Sequence, residues 1–204
     1  MKEVRIITRD ATKDFILNIH YAHRIPSISY SFGLYDNNEL IGVCTYGTPA
    51  SSTLLSGVCG VEYKGIVKEL NRLVLKYNRP NEASFFVGRT LKMLPRPLII
   101  VSYADTAQKH QGIVYQATNF IYTGLSSKFK DPKVKGLEHQ HHATYAHGMT
   151  NKQLKEKFGD KLYFVDRSRK HRYVFFLGSK VEIKHLKKAL NYKITDYPKA
   201  TPPK

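Results

Sequence analysis

The sequence has few cysteines, few acidic residues and no long apolar run. A chain of 204 residues buries a core without disulfides or metals, so we expect one domain. Its two cysteines are Cys44, in a segment typical of a buried strand, and Cys59, and we assign neither a function. No stretch resembles a signal peptide or is apolar enough for a membrane helix. We therefore expect a reduced, cytoplasmic protein without a membrane partner.

Acidic side chains are scarce relative to basic ones. The chain has 33 Lys and Arg against 16 Asp and Glu, which gives a formal net charge of +17. Residues 128–204 hold most of the excess, with 19 basic and 7 acidic residues. Such charge suits a phosphate backbone or an anionic lipid surface, and it also serves solubility alone. A polyanionic partner is the simplest interpretation, and among such partners we favour nucleic acid.

The pattern of apolar residues predicts a mixed α/β domain, that is, a mixed sheet with flanking helices. Helices are expected at residues 12–21, 82–94, 112–120 and 151–158, with Thr12 and Asn81 as N-caps. Strands are expected at residues 31–47 as a hairpin, and at 66–76, 97–103, 120–122 and 172–178. Residues 97–103 are nearly all apolar and should form a central strand. We predict one domain over residues 1–190, followed by a tail rich in Pro and Lys at 191–204.

The order of these elements resembles the GNAT acyltransferase superfamily. Its members carry, on the helix after the fifth strand, a tyrosine that protonates the departing coenzyme A thiolate, and the resemblance gives this role to Tyr115. It also implies acetyl-coenzyme A (acetyl-CoA) or a related donor. The pyrophosphate loop of the superfamily falls at residues 79–84, where its glycines are missing. Backbone N–H groups at the helix start near Asn81 still suit a phosphate, and Ser84 and Arg89 are further candidates for cofactor binding.

Three motifs are similar to those of the Mom family of phage DNA-modification proteins. They are HYAHRIP at residues 20–26, ELNRL at 69–73, and SYADT at 102–106 followed by YQATN at 115–119. Members of this GNAT-like family convert adenine to N6-carbamoylmethyladenine and so protect phage DNA from restriction. The resemblance implies DNA as partner, with the target adenine flipped out of the stack. It also implies catalytic functions for Asp105, Tyr115, His20 and Tyr21, and iron as a metal held by His20 and Tyr21.

Each of these candidates has a structural alternative. Asp105 suits a general base, because adenine N6 is a poor nucleophile that must lose a proton, but aspartate at this place also caps turns. Tyr115 is equally a core tyrosine with a satisfied hydroxyl, and His20 a residue that interacts with a helix dipole. Arg72 is a candidate for binding cofactor or phosphate, or it forms an ion pair with Glu69.

Two segments of the basic C-terminal third stand out. Arg167, Arg169, Lys170 and Arg172 lie next to aromatic residues, which suits contacts with phosphates and an unstacked base. The alternative is a solvated positive face. The other segment, residues 139–147, is rich in histidine, but its spacing matches no closed zinc site, so we interpret it as a polar loop.

The sequence thus predicts a transferase-type DNA modification enzyme that acts on adenine. One alternative is a GNAT N-acetyltransferase that uses acetyl-CoA on a protein or small-molecule amine. A second is a basic DNA-binding protein without catalysis. The formation of a homodimer is left open.

Overall fold

The structure is a computed structural model that describes residues 2–140, 142–146 and 148–199, without the side chains of residues 142 and 143. The strands are β1 Lys2–Ile6, β2 Tyr30–Asp36, β3 Glu39–Gly47, β4 Val67–Leu75, β5 Leu98–Asp105, β6 Ile121–Leu125, β7 Lys130–Val134, β8 Leu162–Asp166 and β9 Lys170–Leu177. The α-helices are α1 Ser52–Gly57, α2 Glu82–Met93, α3 Ile113–Ala117, α4 His142–Ala146, α5 Asn151–Phe158 and α6 Lys180–Ala189. Short 3-10 helices lie at Asp10–Thr12, Val61–Ile66, Thr106–Gln108 and Gly159–Lys161, and a π-helical turn at Phe15–Ile19.

Seven strands form one mixed sheet in the order β1-β2-β3-β4-β5-β9-β6, and β7 pairs with β8 in a separate ribbon. β4 and β5 are parallel to each other, but they are paired only over residues 67–70 and 99–102. β4 continues to Leu75 and β5 to Asp105, so the two strands separate beyond this point. A cleft therefore opens at their carboxyl ends, where ligands bind in open α/β sheets.

Helices cover both faces of the sheet. Phe86 and Leu91 of α2 pack on one face together with Tyr115 of α3. Leu186 of α6 packs on the other face against Val101 and its neighbours. Residues 99–101 of β5 are fully buried between these layers, which confirms the prediction of a central strand covered on both faces.

Several predicted elements are confirmed. The hairpin is present as β2 and β3, and Asn37 and Asn38 in its turn have the positive φ angles, 49° and 68°, that asparagine tolerates. The helix predicted at residues 151–158 has the same bounds. The first helix differs, because its start is a 3-10 turn and its end a π-helical turn. Thr12 is not its N-cap, since the buried Thr12 hydroxyl donates to the carbonyl oxygen of Arg9 at 2.7 Å.

Six of these helices and strands were not predicted: β1, α1, α4, β7, β8 and α6. α4 lies within residues 139–147, so the interpretation of that segment as a polar loop is wrong for residues 142–146. β7 contains Asp131 and Pro132, which are rare in strands, so its pairing with β8 is not evident from the sequence. α6 begins with a capping box of Ser179 and Glu182, a signal that could have revealed it.

The predicted tail packs against the domain where the structure describes it. The backbone N–H of Thr195 donates to Tyr122 O at 3.0 Å, and the Tyr197 hydroxyl donates to Phe120 O at 2.7 Å. Residues 200–204 of the predicted tail lie outside the described residues. No helix in the described ranges is long and apolar enough to span a membrane.

Candidate active site

A cavity of about 680 Å³ lies where β4 and β5 separate. Its walls are formed by β4, the end of β5, the first turn of α2, the loop after β5 and α3. The residues predicted from sequence that line it are His20, Tyr21, Arg72, Asn81, Ser84, Tyr115 and Lys170. Asp105, Arg89, Arg167, Arg169 and Arg172 do not line it. The fold thus brings together residues from five separate parts of the chain.

Tyr115 is held at the inner wall of the cavity. α3 starts after Gly112, which has a φ of +71° and lies so close to Tyr173 that a Cβ there would be 2.4 Å from its ring. The Tyr115 ring packs between Phe120 and Tyr173, at 5.3 and 5.2 Å between ring centroids. The hydroxyl of the buried Ser102, a polar neighbour of the Tyr115 phenol, donates to Leu70 O at 3.0 Å. Burial raises the pKa of Tyr115, so the phenol keeps its proton at neutral pH.

Glu69 is the functional candidate that sequence reasoning missed. It is the only carboxylate among the described residues that line the cavity. Burial raises the pKa of Glu69, although the charges of Lys170 and Arg72 act in the opposite direction. A carboxyl group with a raised pKa in a cleft is a typical proton acceptor. The signal was present in the ELNRL motif, where Glu69 was considered only as a partner of Arg72.

Arg72 lines the cavity beside Glu69, but its guanidinium is held by backbone oxygens. Its two terminal nitrogens donate to Asn71 O at 2.6 Å and to Arg24 O at 2.8 Å. Its Nε is buried and has no hydrogen-bond partner among the described residues. These contacts fix the arginine between β4 and the segment that follows the first helical region.

His20 and Tyr21 lie at the mouth of the cavity as a stacked pair, with ring centroids 4.4 Å apart. The Nδ1 atom of His20 accepts a hydrogen bond from the backbone N–H of Ala22 at 3.0 Å. Burial, together with the positive charges of Arg72 and two neighbouring histidines, lowers the pKa of His20 to about 4. Burial and the charge of Asp105 raise the pKa of Tyr21. Both rings are therefore neutral at pH 7.

Asp105 ends β5 but is fully engaged outside the cavity. Its Oδ1 accepts hydrogen bonds from the Ser168 hydroxyl at 2.8 Å and from the Ala107 N–H at 2.9 Å. The ammonium of Lys170 lies 3.4 Å from its Oδ2. Burial acts to raise the pKa of Asp105, but these hydrogen bonds and Lys170 outweigh it and leave the pKa below its usual value. This geometry corresponds to the capping alternative and does not favour Asp105 as a base.

The first turn of α2 forms the cofactor side of the cavity. Asn78 and Asn81 have φ angles of 46° and 60°, so asparagines adopt left-handed conformations in the loop where the expected glycines are missing. The Asn81 side chain makes no capping bond, and the Ser84 hydroxyl donates to Asn81 O at 3.1 Å. A second cavity of about 450 Å³ shares Ser84 and Ala117 with the first and is lined by Lys92 and Arg96. Arg89 is exposed and lies over the ring of Phe85 instead.

The predicted metal ligands do not form a metal site. In the described part of the chain, no group of three or more His, Cys, Asp or Glu side chains could hold a metal ion. His20 and Tyr21 lie together, but the carboxylate of Asp105 is already occupied by its own partners. The arrangement does not fit an iron centre. In the histidine-rich segment, His141, His147 and the side chain of His142 lie outside the described residues.

The predicted DNA-contact residues have partners within the protein. Arg167 forms a bidentate ion pair with Asp131, with Nε 2.9 Å from Oδ1. Arg169 Nε donates to Ser126 O at 2.7 Å. Arg172 Nε donates to the Thr123 hydroxyl at 2.9 Å, and its guanidinium lies 3.3 Å from the ring centre of Tyr192. The three arginines therefore connect separate segments of the chain. Of the four predicted DNA-contact residues, only Lys170 lines the cavity.

Comparisons with known proteins agree with this architecture. The model of the Mom protein family matches residues 2–199. Methylcarbamoylase mom of Escherichia phage Mu is 27% identical over 220 residues, which cover 97% of this chain and 85% of that protein.

One solved structure shows the fold. Arabidopsis thaliana NAA60 in complex with a bisubstrate analogue has a TM-score of 0.51 at 11% identity, covering 86% of this chain and 98% of its own. A Bacillus subtilis acetyltransferase in complex with CoA has a TM-score of 0.49 at 13% identity. The match covers 87% of this chain and 99% of that chain. The likeness to the Arabidopsis structure confirms the predicted fold class, a GNAT acyltransferase-like α/β fold.

Proposed function

The chain belongs to the Mom protein family, and from this membership we propose that it is a phage DNA-modification enzyme that converts adenine to N6-carbamoylmethyladenine. The name of the phage Mu relative, a methylcarbamoylase, supports the proposed transfer. The observation that carries the proposal is the cavity where β4 and β5 separate, which is lined by a half-buried carboxyl group, Glu69, and a buried phenol, Tyr115. Such an enzyme protects phage DNA from restriction in the host cytoplasm.

Glu69 is the proposed proton acceptor. The lone pair of adenine N6 is delocalised into the ring, so N6 becomes nucleophilic only as it loses a proton. A carboxylate with a raised pKa takes that proton more readily than one with a lowered pKa. Glu69 has the raised pKa and lines the cavity, whereas Asp105 has the lowered pKa and does not. We therefore assign proton removal to Glu69, and to Asp105 the positioning of Lys170.

Tyr115 is the proposed proton donor. Its burial keeps the phenol protonated, and the negative charge of Glu69 favours the same state. Bond formation at N6 releases a leaving group that takes up an electron pair, and the Tyr115 hydroxyl supplies a proton to it. Glu69 thus receives one proton from N6, and Tyr115 gives up one to the leaving group.

An acyl-coenzyme A fits the cofactor side of the site. Ala83 and Ser84 in the first turn of α2 line the cavity, and a helix start suits a pyrophosphate, while Lys92 and Arg96 line the adjoining cavity. When bound, a thioester would supply an activated acyl carbon and a thiolate leaving group, and attack of N6 at that carbon would form an amide. The carbamoylmethyl product has a methylene on N6, so transfer of a plain acetyl group does not account for it. The donor must carry the amide and the leaving group on that methylene.

The β7–β8 ribbon, with its flanking residues 128–129 and 167–168, is the proposed DNA-contact region. It leaves the main sheet between β6 and β9, where the Ser126 N–H donates to Lys170 O at 2.8 Å. Lys128 and Lys130 are exposed at its base, and Phe129 is 57% exposed. The ribbon base is therefore next to the cavity, with Lys170 between them. Lysines in this position bind the backbone of a duplex from which the adenine is flipped out.

The test is mass spectrometry of nucleosides from plasmid DNA after expression of the protein in bacteria. The wild type should yield an adenosine species heavier by a carbamoylmethyl group. Glu69→Gln should reduce this species by about 10²- to 10⁴-fold, the usual contribution of a general base, and Tyr115→Phe should also reduce it. Glu62→Gln, at an exposed glutamate outside the cavity, is the matched control and should leave the yield unchanged.

The other outcomes identify the competing functions. Unmodified adenine together with acetyl-CoA turnover in the absence of DNA would assign the protein to the ordinary N-acetyltransferases. DNA binding without any modified base would instead indicate a binding protein. Full modification by Glu69→Gln would remove Glu69 from the proposed chemistry.

A further inference from the structure

Three aromatic rings at the mouth of the cavity are not needed for the proton transfers described above. His20 and Tyr21 are stacked with an interplanar angle of 27°. The ring of His110, from the loop after β5, lies edge-on to Tyr21, with the ring centroids 6.3 Å apart and an interplanar angle of 73°. All three line the same cavity as Glu69. They form an aromatic cluster contributed by two distant parts of the chain.

The cluster has an uncovered side. Tyr21 is 52% exposed although one of its faces is covered by His20, and His110 is exposed as well. An exposed aromatic surface that borders a cavity is typical of a ligand-binding site. The remaining surface of Tyr21 is suited to a further flat ring, because aromatic rings stack in an offset manner.

The geometry of the cluster suits a flat ligand with hydrogen-bond acceptors. The Nδ1 of His20 accepts the N–H of Ala22, so Nε2 is the ring nitrogen of His20 that can donate to a ligand. Adenine matches this environment, since it is flat and neutral and carries ring-nitrogen acceptors.

We propose that His20, Tyr21 and His110 form the platform that binds the flipped nucleobase, with the base stacked on Tyr21 and bordered by His110. This inference rests on the proposed function, because it takes a base of DNA as the ligand. It explains how the exocyclic amine reaches the cavity that contains Glu69. It also gives His110, which no sequence motif indicated, a binding function.

The experiment measures affinity for two single-stranded oligonucleotides of about ten nucleotides, a length within the usual site size. One is oligodeoxyadenylate and the other has the same backbone with abasic residues. Binding of wild-type protein, Tyr21→Ala, Tyr21→Phe and His110→Ala is followed by fluorescence anisotropy at fixed salt. Tyr77→Ala is the matched control, because Tyr77 is 46% exposed and lies outside the cavity. Thermal unfolding of each variant shows that it is folded.

Tyr21→Ala should weaken binding of oligodeoxyadenylate about tenfold, the scale of one lost base stack, and leave binding of the abasic strand unchanged. His110→Ala should act in the same direction, while Tyr21→Phe and Tyr77→Ala should bind like the wild type. Equal binding of both strands by the wild type would support DNA binding but contradict the proposed nucleobase platform. Equal losses in Tyr21→Ala and Tyr77→Ala would overturn it too. If the wild type binds neither strand, the proposed DNA function itself fails.

Discussion

The hydroxyl of Ser168 donates a 2.8 Å hydrogen bond to the carboxylate of Asp105. The bond joins the end of β5 to the segment that connects the β7–β8 ribbon with β9. Lys170 approaches the other carboxylate oxygen at 3.4 Å. Asp105 thereby connects the edge of the cavity with the base of the ribbon. These contacts explain the lowered pKa of Asp105 better than a function in proton removal would.

Asp105→Asn should lower the free energy of unfolding at pH 7 by about 1 kcal/mol, because a charged acceptor is lost. The pKa of Asp105 is lowered in the folded protein. Its contribution is therefore complete above the pKa of an unfolded aspartate, about 3.9, and is lost as the pH falls through the folded pKa. Urea unfolding of Asp105→Asn and of the wild type, at pH 7 and at steps down to about pH 3, measures the difference in their free energies of unfolding. This difference should become smaller as the pH falls.

The control for this experiment is Asp166→Asn. The Asp166 side chain is 85% exposed and lies 3.9 Å from Lys130, so its removal should change the free energy of unfolding little. A constant difference between Asp105→Asn and wild type at every pH would contradict the electrostatic explanation.

The rate of DNA modification should rise with pH through an apparent pKa above about 4.3, the ordinary value of a glutamate. The raised pKa of Glu69 has this consequence, because only its ionised form accepts the N6 proton. Initial rates measured between about pH 4 and 8 should show the rise in the wild type and in Asp105→Asn, but not in the residual activity of Glu69→Gln. Loss of the rise in Asp105→Asn instead would identify Asp105 as the base.

Gly112→Ala should destabilise the protein by about 1–3 kcal/mol. The residue has a φ of +71°, and a Cβ would lie 2.4 Å from the Tyr173 ring that also supports Tyr115. Gly88→Ala in α2 is the matched control, since a Cβ there would have no atom of the described residues within 4 Å. It should stabilise the helix by about 0.5–1 kcal/mol. Urea unfolding measures the change in the free energy of unfolding of each variant, and the two changes should have opposite signs. Equal changes would contradict the explanation given for Gly112.

Removal of two ribbon lysines, Lys128→Ala with Lys130→Ala, should reduce the salt dependence of DNA binding. If each lysine meets one phosphate, the slope of log K against log salt falls by about two units. Lys64→Ala with Lys180→Ala removes the same charge at the other end of the sheet, before β4 and after β9, and should change the slope little. Equal slopes for the two double variants would place the DNA elsewhere.

The sequence by itself determined the elements with a strong local pattern. The apolar run of β5, the asparagine turn between β2 and β3 and the amphipathic α5 were predicted, because hydrophobic periodicity and turn chemistry are local properties. β7 and β8 were not predicted, since their stability comes from pairing with each other and Asp131 and Pro132 oppose the strand signal. The family motifs likewise indicated Tyr115, His20, Tyr21 and Arg72, which all line the cavity.

Only the tertiary structure decided which charged groups face the cavity. Glu69 and Asp105 are both strand carboxylates in the sequence. In the fold, Glu69 lies next to the point where β4 separates from β5 and lines the cavity, whereas Ser168, from far along the chain, engages Asp105. Arg167, Arg169 and Arg172 formed a basic run in the sequence, yet partners more than thirty residues away occupy all three. Composition determines how much charge a chain carries, whereas long-range contacts determine which charged side chains are available to a substrate.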